Sequence, residues 1–146
     1  MPTGDKHDLI RRYVEEAWNQ GDLTVIDAMF APDCQSHALW DAPVHYHEPA
    51  DPTHQQIKDS ITAWRREMPD LRLTLDDVIE GADKAVLRAT LQATYKGYNV
   101  RAAWLEIYRF ADGRVVEEWY LWDRLSYWQQ LGRVPPTRAL LGPDRV

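Results

Sequence analysis

Residues Asp112–Gly132 read DGRVVEEWYLWDRLSYWQQLG, and how that stretch divides decides the fold. Asp112-Gly113 suits a two-residue type I′ hairpin turn, whose central residues both take positive φ. A strand pattern rich in Val, Tyr and Trp runs from Arg114 to about Trp122. Alternate strand residues share a face, so Val115, Glu117, Trp119, Leu121 and Asp123 are expected to point one way. Asp123 stands where the strand gives out, and Leu125 to Leu131 reads as a helical turn ended by Gly132. With a two-residue turn, Ala102 lies opposite Asp123. A three-residue loop (Ala111–Gly113) would instead set Arg101 beside it and lower its pKa. The two-residue turn has the better chemistry and is the expected one.

Working backwards, Val100–Phe110 is the partner strand, Lys84–Tyr95 precedes it across Gly97, and Leu71–Glu80 alternates well before the Gly81-Ala82-Asp83 turn. The N-terminal part is helical. Leu9, Ile10, Tyr13, Val14, Ala17 and Trp18 form one stripe over Asp8–Gln20, with Gly21 as its stop and Asp22 as the next cap. A short helix over Leu23–Phe30, a strand near Gln35–Trp40 and a helix from about Thr53 to Met68 complete the chain, with a surface tail after Pro135-Pro136. Helices first and a long meander after give an α+β class. The expected form is a cone: N-terminal helices on a strongly curved, mostly antiparallel sheet, enclosing a pocket as one domain over 1–146.

Composition narrows the function. The formal net charge is −6 with no local basic run, which argues against nucleic acid. No apolar run approaches a membrane span, and the N-terminus lacks the pattern of a signal peptide, so a cytoplasmic protein is expected. Cys34 is the sole cysteine, which excludes an internal disulfide, and it reads as a small buried side chain. Seven Trp and seven Tyr stand against two Phe, a balance that favours a lined cavity or an interface. His45-x-His47 with Glu48 is the one metal-like spacing, too few ligands for a site, so no metal is expected.

Asp112-Gly113-Arg114-Val115-Val116-Glu117-x-Trp119-x-x-x-Asp123, followed by Gln129-Gln130-Leu131-Gly132, resembles the SnoaL-like polyketide cyclases of the nuclear-transport-factor-2-like cone fold. Asn19-x-Gly21-Asp22, His37 and Pro69-Asp70-Leu71 support the resemblance in order. Ala93-Thr94-Tyr95-x-Gly97 departs from it, with Tyr95 where many relatives carry His. The resemblance implies a cofactor-free enzyme acting by acid/base catalysis on a hydrophobic, polyketide-like or polycyclic molecule, with aldol-type cyclisation as the named reaction. Hydroxylases, dehydratases, isomerases, epoxide hydrolases and plain binding or dimerisation modules share the scaffold. It also implies Asp123 as the acid/base, against the plainer reading of a helix cap. His37 would line the pocket and polarise an oxygen. Trp18, Trp40, Trp64, Tyr95, Trp104 and Trp119 would form the substrate-binding walls. Glu117, six residues from Asp123, is read as architectural. A homodimer is expected.

Overall fold

The computed structural model describes residues 5–39 and 54–141. Trp40, His45, His47 and Glu48 lie outside the described residues. The first helix opens with α1 (Lys6–Arg12), capped by Asp5, and continues without a break as a π-helical segment over Tyr13–Gln20. Sequence spacing predicts ordinary α-helix there. Gly21 ends the segment at φ 80°. The carbonyls of Trp18 and Asn19, left without helical partners, accept from Arg65 Nη1 at 2.7 and 2.8 Å. Asp22 then accepts from the Thr24 N–H and hydroxyl at the start of α2 (Thr24–Met29).

Strand β1 (Phe30–Ala38) starts five residues earlier than expected. Phe30, Ala31 and Cys34 are buried, so hydrophobic burial sets in directly after α2. The helix α3 (His54–Glu67) sets Ile61 into the core and keeps Arg65-Arg66 in its last turn. Then come β2 (Arg72–Glu80), β3 (Lys84–Tyr95), β4 (Tyr98–Ala111) and β5 (Arg114–Trp122), followed by α4 (Arg124–Gln130). Where a tail was expected, α5 (Thr137–Leu141) forms, tied to α4 by Gln129 donating to Pro135 O and Thr137 Oγ1.

The strands make one curled, unclosed sheet in the order β1-β5-β4-β3-β2. β1 runs parallel to β5 and every other pair is antiparallel. Its concave face carries Leu73, Leu87, Leu91, Ala102, Tyr108 and Val115 into the core, against Ile10, Val14, Ile26, Met29 and Ile61 of the helices. Each Ile or Leu so buried contributes about 1.5–3 kcal/mol. Asn19 fastens the first helix to the sheet edge: its side chain accepts from Leu73 N and donates to Leu73 O, both at 2.8 Å. No helix among the described residues is long and apolar enough to cross a membrane.

The β4–β5 register corrects the sequence reading. Ala111 pairs with Arg114 and Phe110 with Val115, as a two-residue turn requires, but Arg109 then pairs with Glu117. Val116 is thus an extra residue, a β-bulge. A one-residue slip exchanges the faces of everything beyond it. Glu118, Tyr120 and Trp122 therefore share the inner face with their partners Tyr108, Glu106 and Trp104, and Glu117, Trp119 and Leu121 turn outward. Asp123 donates its N–H to Ala103 O, so it lies opposite Ala103, neither Ala102 nor Arg101. The slip stacks the half-buried Trp122 on Trp104 and leaves Leu121 43% exposed.

On the outer face, Ile79, Val86, Ile107 and Trp119 form a row across four strands. Leu105 and Leu121 pair in the next row, both exposed.

Candidate active site

Along the inner side of β4 the residues are Val100, Ala102, Trp104, Glu106, Tyr108 and Phe110, all buried. Glu106 is the one charged group in that series, and it is 2% exposed. Trp104 Nε1 donates to its Oε1 at 2.7 Å, and the Tyr108 hydroxyl donates to its Oε2. An indole N–H can only donate, so this pattern favours a charged, accepting carboxylate. Burial opposes the charge more strongly, and the carboxyl is pushed up to about 7 despite Tyr108, Trp104 and Tyr13.

Glu118 reaches the same interior from β5, 5% exposed. It is the cross-strand partner of Tyr108 and so a diagonal neighbour of Glu106, a relation that sets residues about 7–8 Å apart. Ser36, its partner on β1, donates Oγ to Glu118 Oε1 at 2.6 Å. Burial and the nearby Glu106 charge push this carboxyl up to about 8. The two acids are thus unequal. Glu106, with an N–H donor on one oxygen and a hydroxyl on the other, holds the negative charge more readily, and Glu118 holds the proton. Such a pair supplies a base and an acid at neutral pH.

A series of aromatic rings runs outward from Glu106, beginning at Trp104. Trp18 lies 5.2 Å from Trp104 and 6.1 Å from Trp64, and Trp64 lies 5.0 Å from Trp122. The series continues through Trp122–Tyr127 at 5.3 Å to Tyr127–Tyr95 at 6.1 Å. Trp18 and Trp104 are fully buried while Trp64, Trp122 and Tyr95 are half-buried, so the wall runs from the interior toward solvent.

The structure therefore brings together Trp18, Trp64, Tyr95 and Trp104 of the expected set, and sets three others apart. Asp123 is exposed, and its carboxylate accepts from Ser126 N at 2.9 Å as the cap of α4. His37 and Trp119 lie outside: the bulge at Val116 turns Trp119 to the convex face, and on β1 His37 alternates with Ser36, which points inward to Glu118. There the His37 ring stacks on Trp119 at 5.4 Å and meets Glu117 Oε1 at 3.0 Å. Glu117 also accepts from Arg109 at 2.9 Å. Burial works against its charge, but Arg109 and His37 hold the carboxyl below its usual value. Trp40 lies outside the described residues. Cys34 is buried, with its thiol pushed up to about 12 chiefly by burial, and is inert as a nucleophile.

The sequence reading passed over Glu106 and Glu118. Glu106 had a visible signal, as the lone acid alternating with Ala102, Trp104, Tyr108 and Phe110. Glu118 had none, since its face depends on the bulge. Among the described residues no group of three or more His, Cys, Asp and Glu side chains is placed to hold a metal ion.

A family model described as SnoaL-like polyketide cyclase matches residues 8–131. The chain belongs to the SnoaL-like polyketide cyclase family. No curated protein matches it. Among solved structures it is similar to wild-type IdmH, a proposed polyketide cyclase from Streptomyces antibioticus, at 25% identity over 88% of this chain and 99% of that one, with TM-score 0.75. TsrD from Streptomyces laurentii is 25% identical over 88% and 95% of the two chains, with TM-score 0.73. AclR, a proposed hydroxylase from Streptomyces galilaeus, is 25% identical over 95% and 93%, with TM-score 0.73. These relatives share the SnoaL-like cone fold.

Proposed function

We propose that this SnoaL-like protein is a cofactor-independent cyclase that closes a ring by intramolecular aldol addition in a hydrophobic, polyketide-like substrate. The observation that carries the reading is the pair of buried, unequal carboxylates Glu106 and Glu118, the first of them bonded to the aromatic wall through Trp104. Isolated acids are costly to bury, and buried carboxyls with strongly raised values are the groups expected at a functional site. Glu106 takes the proton from a carbon between two carbonyls. The carbanion adds to the carbon of a further carbonyl elsewhere in the same molecule, forming the C–C bond as the C=O π bond opens. Glu118 delivers its proton to the oxygen of that carbonyl, and a proton returns from Glu106 to Glu118. Atoms and charge balance without a further reactant, and Trp18, Trp64, Trp104 and Trp122 hold the ring system.

Hydroxylation is the second reading, favoured by the likeness to AclR. The product separates the two, since ring closure gives an isomer and hydroxylation adds an oxygen. The assay uses N-acetylcysteamine thioesters of poly-β-ketones, with ring closure followed by mass and absorbance. kcat/KM is expected to follow a bell with limbs near 7 and 8, the values of the carboxyl pair. Asp123→Ala should keep this profile and lose about 1 kcal/mol of stability, as the loss of a helix cap does. Abolished turnover in that variant would return the chemistry to Asp123.

The outer apolar rows around Ile79, Leu105 and Leu121 are flanked by charges of both signs, Arg88 with Asp76 and Arg109 with Glu117. A self-complementary patch of this kind suits a two-fold homodimer. Sedimentation should give twice the chain mass, reduced to one by Leu105→Lys with Leu121→Lys. A wild-type monomer at all concentrations would end the dimer proposal.

A further inference from the structure

The first helix changes its winding where it meets the interior carboxylates. The i→i+5 bonding of a π-helix sets residues five apart nearly above one another, whereas 3.6 residues per turn would put them on different sides. In Tyr13–Gln20 the buried pair so related is Tyr13 and Trp18, with rings 6.4 Å apart and interplanar angle 85°. Trp18 touches Trp104 at 5.2 Å, and Tyr13 touches Tyr108 at 6.3 Å. The helix thus lays one ring against each of the two residues that donate to Glu106. We propose that Tyr13 is a positioning residue for Glu106: the π-helical segment delivers its hydroxyl as a third donor, fixing where the negative charge of the interior pair resides. The inference rests on the reading of Glu106 as the base.

Tyr13 is 3% exposed, so its hydroxyl must find a partner inside the protein. A carboxylate offers about four lone-pair sites, and Trp104 with Tyr108 leaves room for another donor. Burial raises the Tyr13 phenol well above its ordinary value, and the charges of Glu106 and Glu118 add to the effect, so it keeps its proton. In turn the Tyr13 hydroxyl lowers the Glu106 carboxyl. Trp18 Nε1 is buried without a hydrogen-bond acceptor among the described residues. Tyr13 from the first helix, Trp104 and Tyr108 from β4 and Glu118 and Tyr120 from β5 surround Glu106, while Ser36 and Cys34 from β1 stand beside Glu118. Removing Tyr13's hydroxyl leaves all of them in place and changes one donor.

The test titrates the carboxyl itself, by infrared spectroscopy of the whole protein carrying 13C-labelled glutamate, with the Glu106 band identified by its loss in Glu106→Gln. Tyr13→Phe should raise the midpoint of that band by about one pH unit. The acidic limb of the kcat/KM profile should rise with it. A more acidic donor, 3-fluorotyrosine in place of Tyr13, should move the midpoint down, and this variant decides the matter if Tyr13→Phe fails to fold. An unmoved midpoint in a folded variant overturns the role of Tyr13. If the midpoint moves while Glu106→Gln still closes rings at the wild-type rate, Tyr13 does position Glu106, and it is the reading of Glu106 as base that falls.

Discussion

Glu106→Gln is expected to lower kcat for ring closure by 10²–10⁴-fold, roughly 3–5 kcal/mol of barrier. The variant should fold, because the amide oxygen still accepts from Trp104 and the Tyr108 hydroxyl can rotate to accept from the new NH₂. What disappears is the one interior group able to hold a negative charge at neutral pH. The loss should appear in kcat more than in KM, since the aromatic wall is untouched. Glu118 should respond too. The Glu106 charge helps to raise its carboxyl, so in Glu106→Gln its titration should fall back toward the ordinary range. Unchanged turnover would remove Glu106 from the chemistry. In that event the carboxylates would be structural and the cone a binding module.

Glu118→Gln is expected to act in the opposite direction, on stability. Both carboxyls have folded values above the ordinary 4.5, about 7 for Glu106 and about 8 for Glu118. Between those limits the folded chain binds more protons than the unfolded one, so stability falls as pH rises through the window and stays low above it. Gln resembles the protonated acid and has no charge to bury. The substitution should therefore gain about 2–4 kcal/mol near pH 9 and almost nothing near pH 4. Denaturant unfolding at the two pH values reads the difference directly. Equal stability of the two proteins near pH 9 would mean that Glu118 pays no penalty for its burial.

The fold was legible because its signals are local. Gly21, the Pro69-Asp70 break and Asp112-Gly113 punctuate the chain, and alternation in β2, β3 and β4 marks which side faces the helices. The aromatic wall was legible in part: Trp18, Trp64 and Trp104 lie on apolar stripes, which mark them as inward-facing whether they line a site or pack a core. The acids were misplaced for a specific reason. Counting by twos from Asp112-Gly113 is sound only while the ladder is regular, and Val116 breaks it three residues past the turn. Nothing in Val115-Val116 distinguishes the residue that pairs from the one that does not. The error then propagated to Glu117, Trp119 and Asp123 and hid Glu118. The π-helical winding was hidden likewise, since its stripe also fits an α-helix of broad apolar face. The family match gives the scaffold and leaves the identity of the working acid to the register.

Asn19 has a consequence beyond fastening a helix. A sheet that does not close leaves edge strands, and an edge strand with unpaired N–H and C=O groups is a template on which another molecule can add its own strand. On β2 the outward-facing donor and acceptor of Leu73 are already occupied by one amide side chain. The irregularity between Leu75 and Asp77 spoils the spacing just beyond. An incoming strand would have to break two hydrogen bonds and then match a distorted ladder. A single asparagine thus guards this side of the molecule against aggregation.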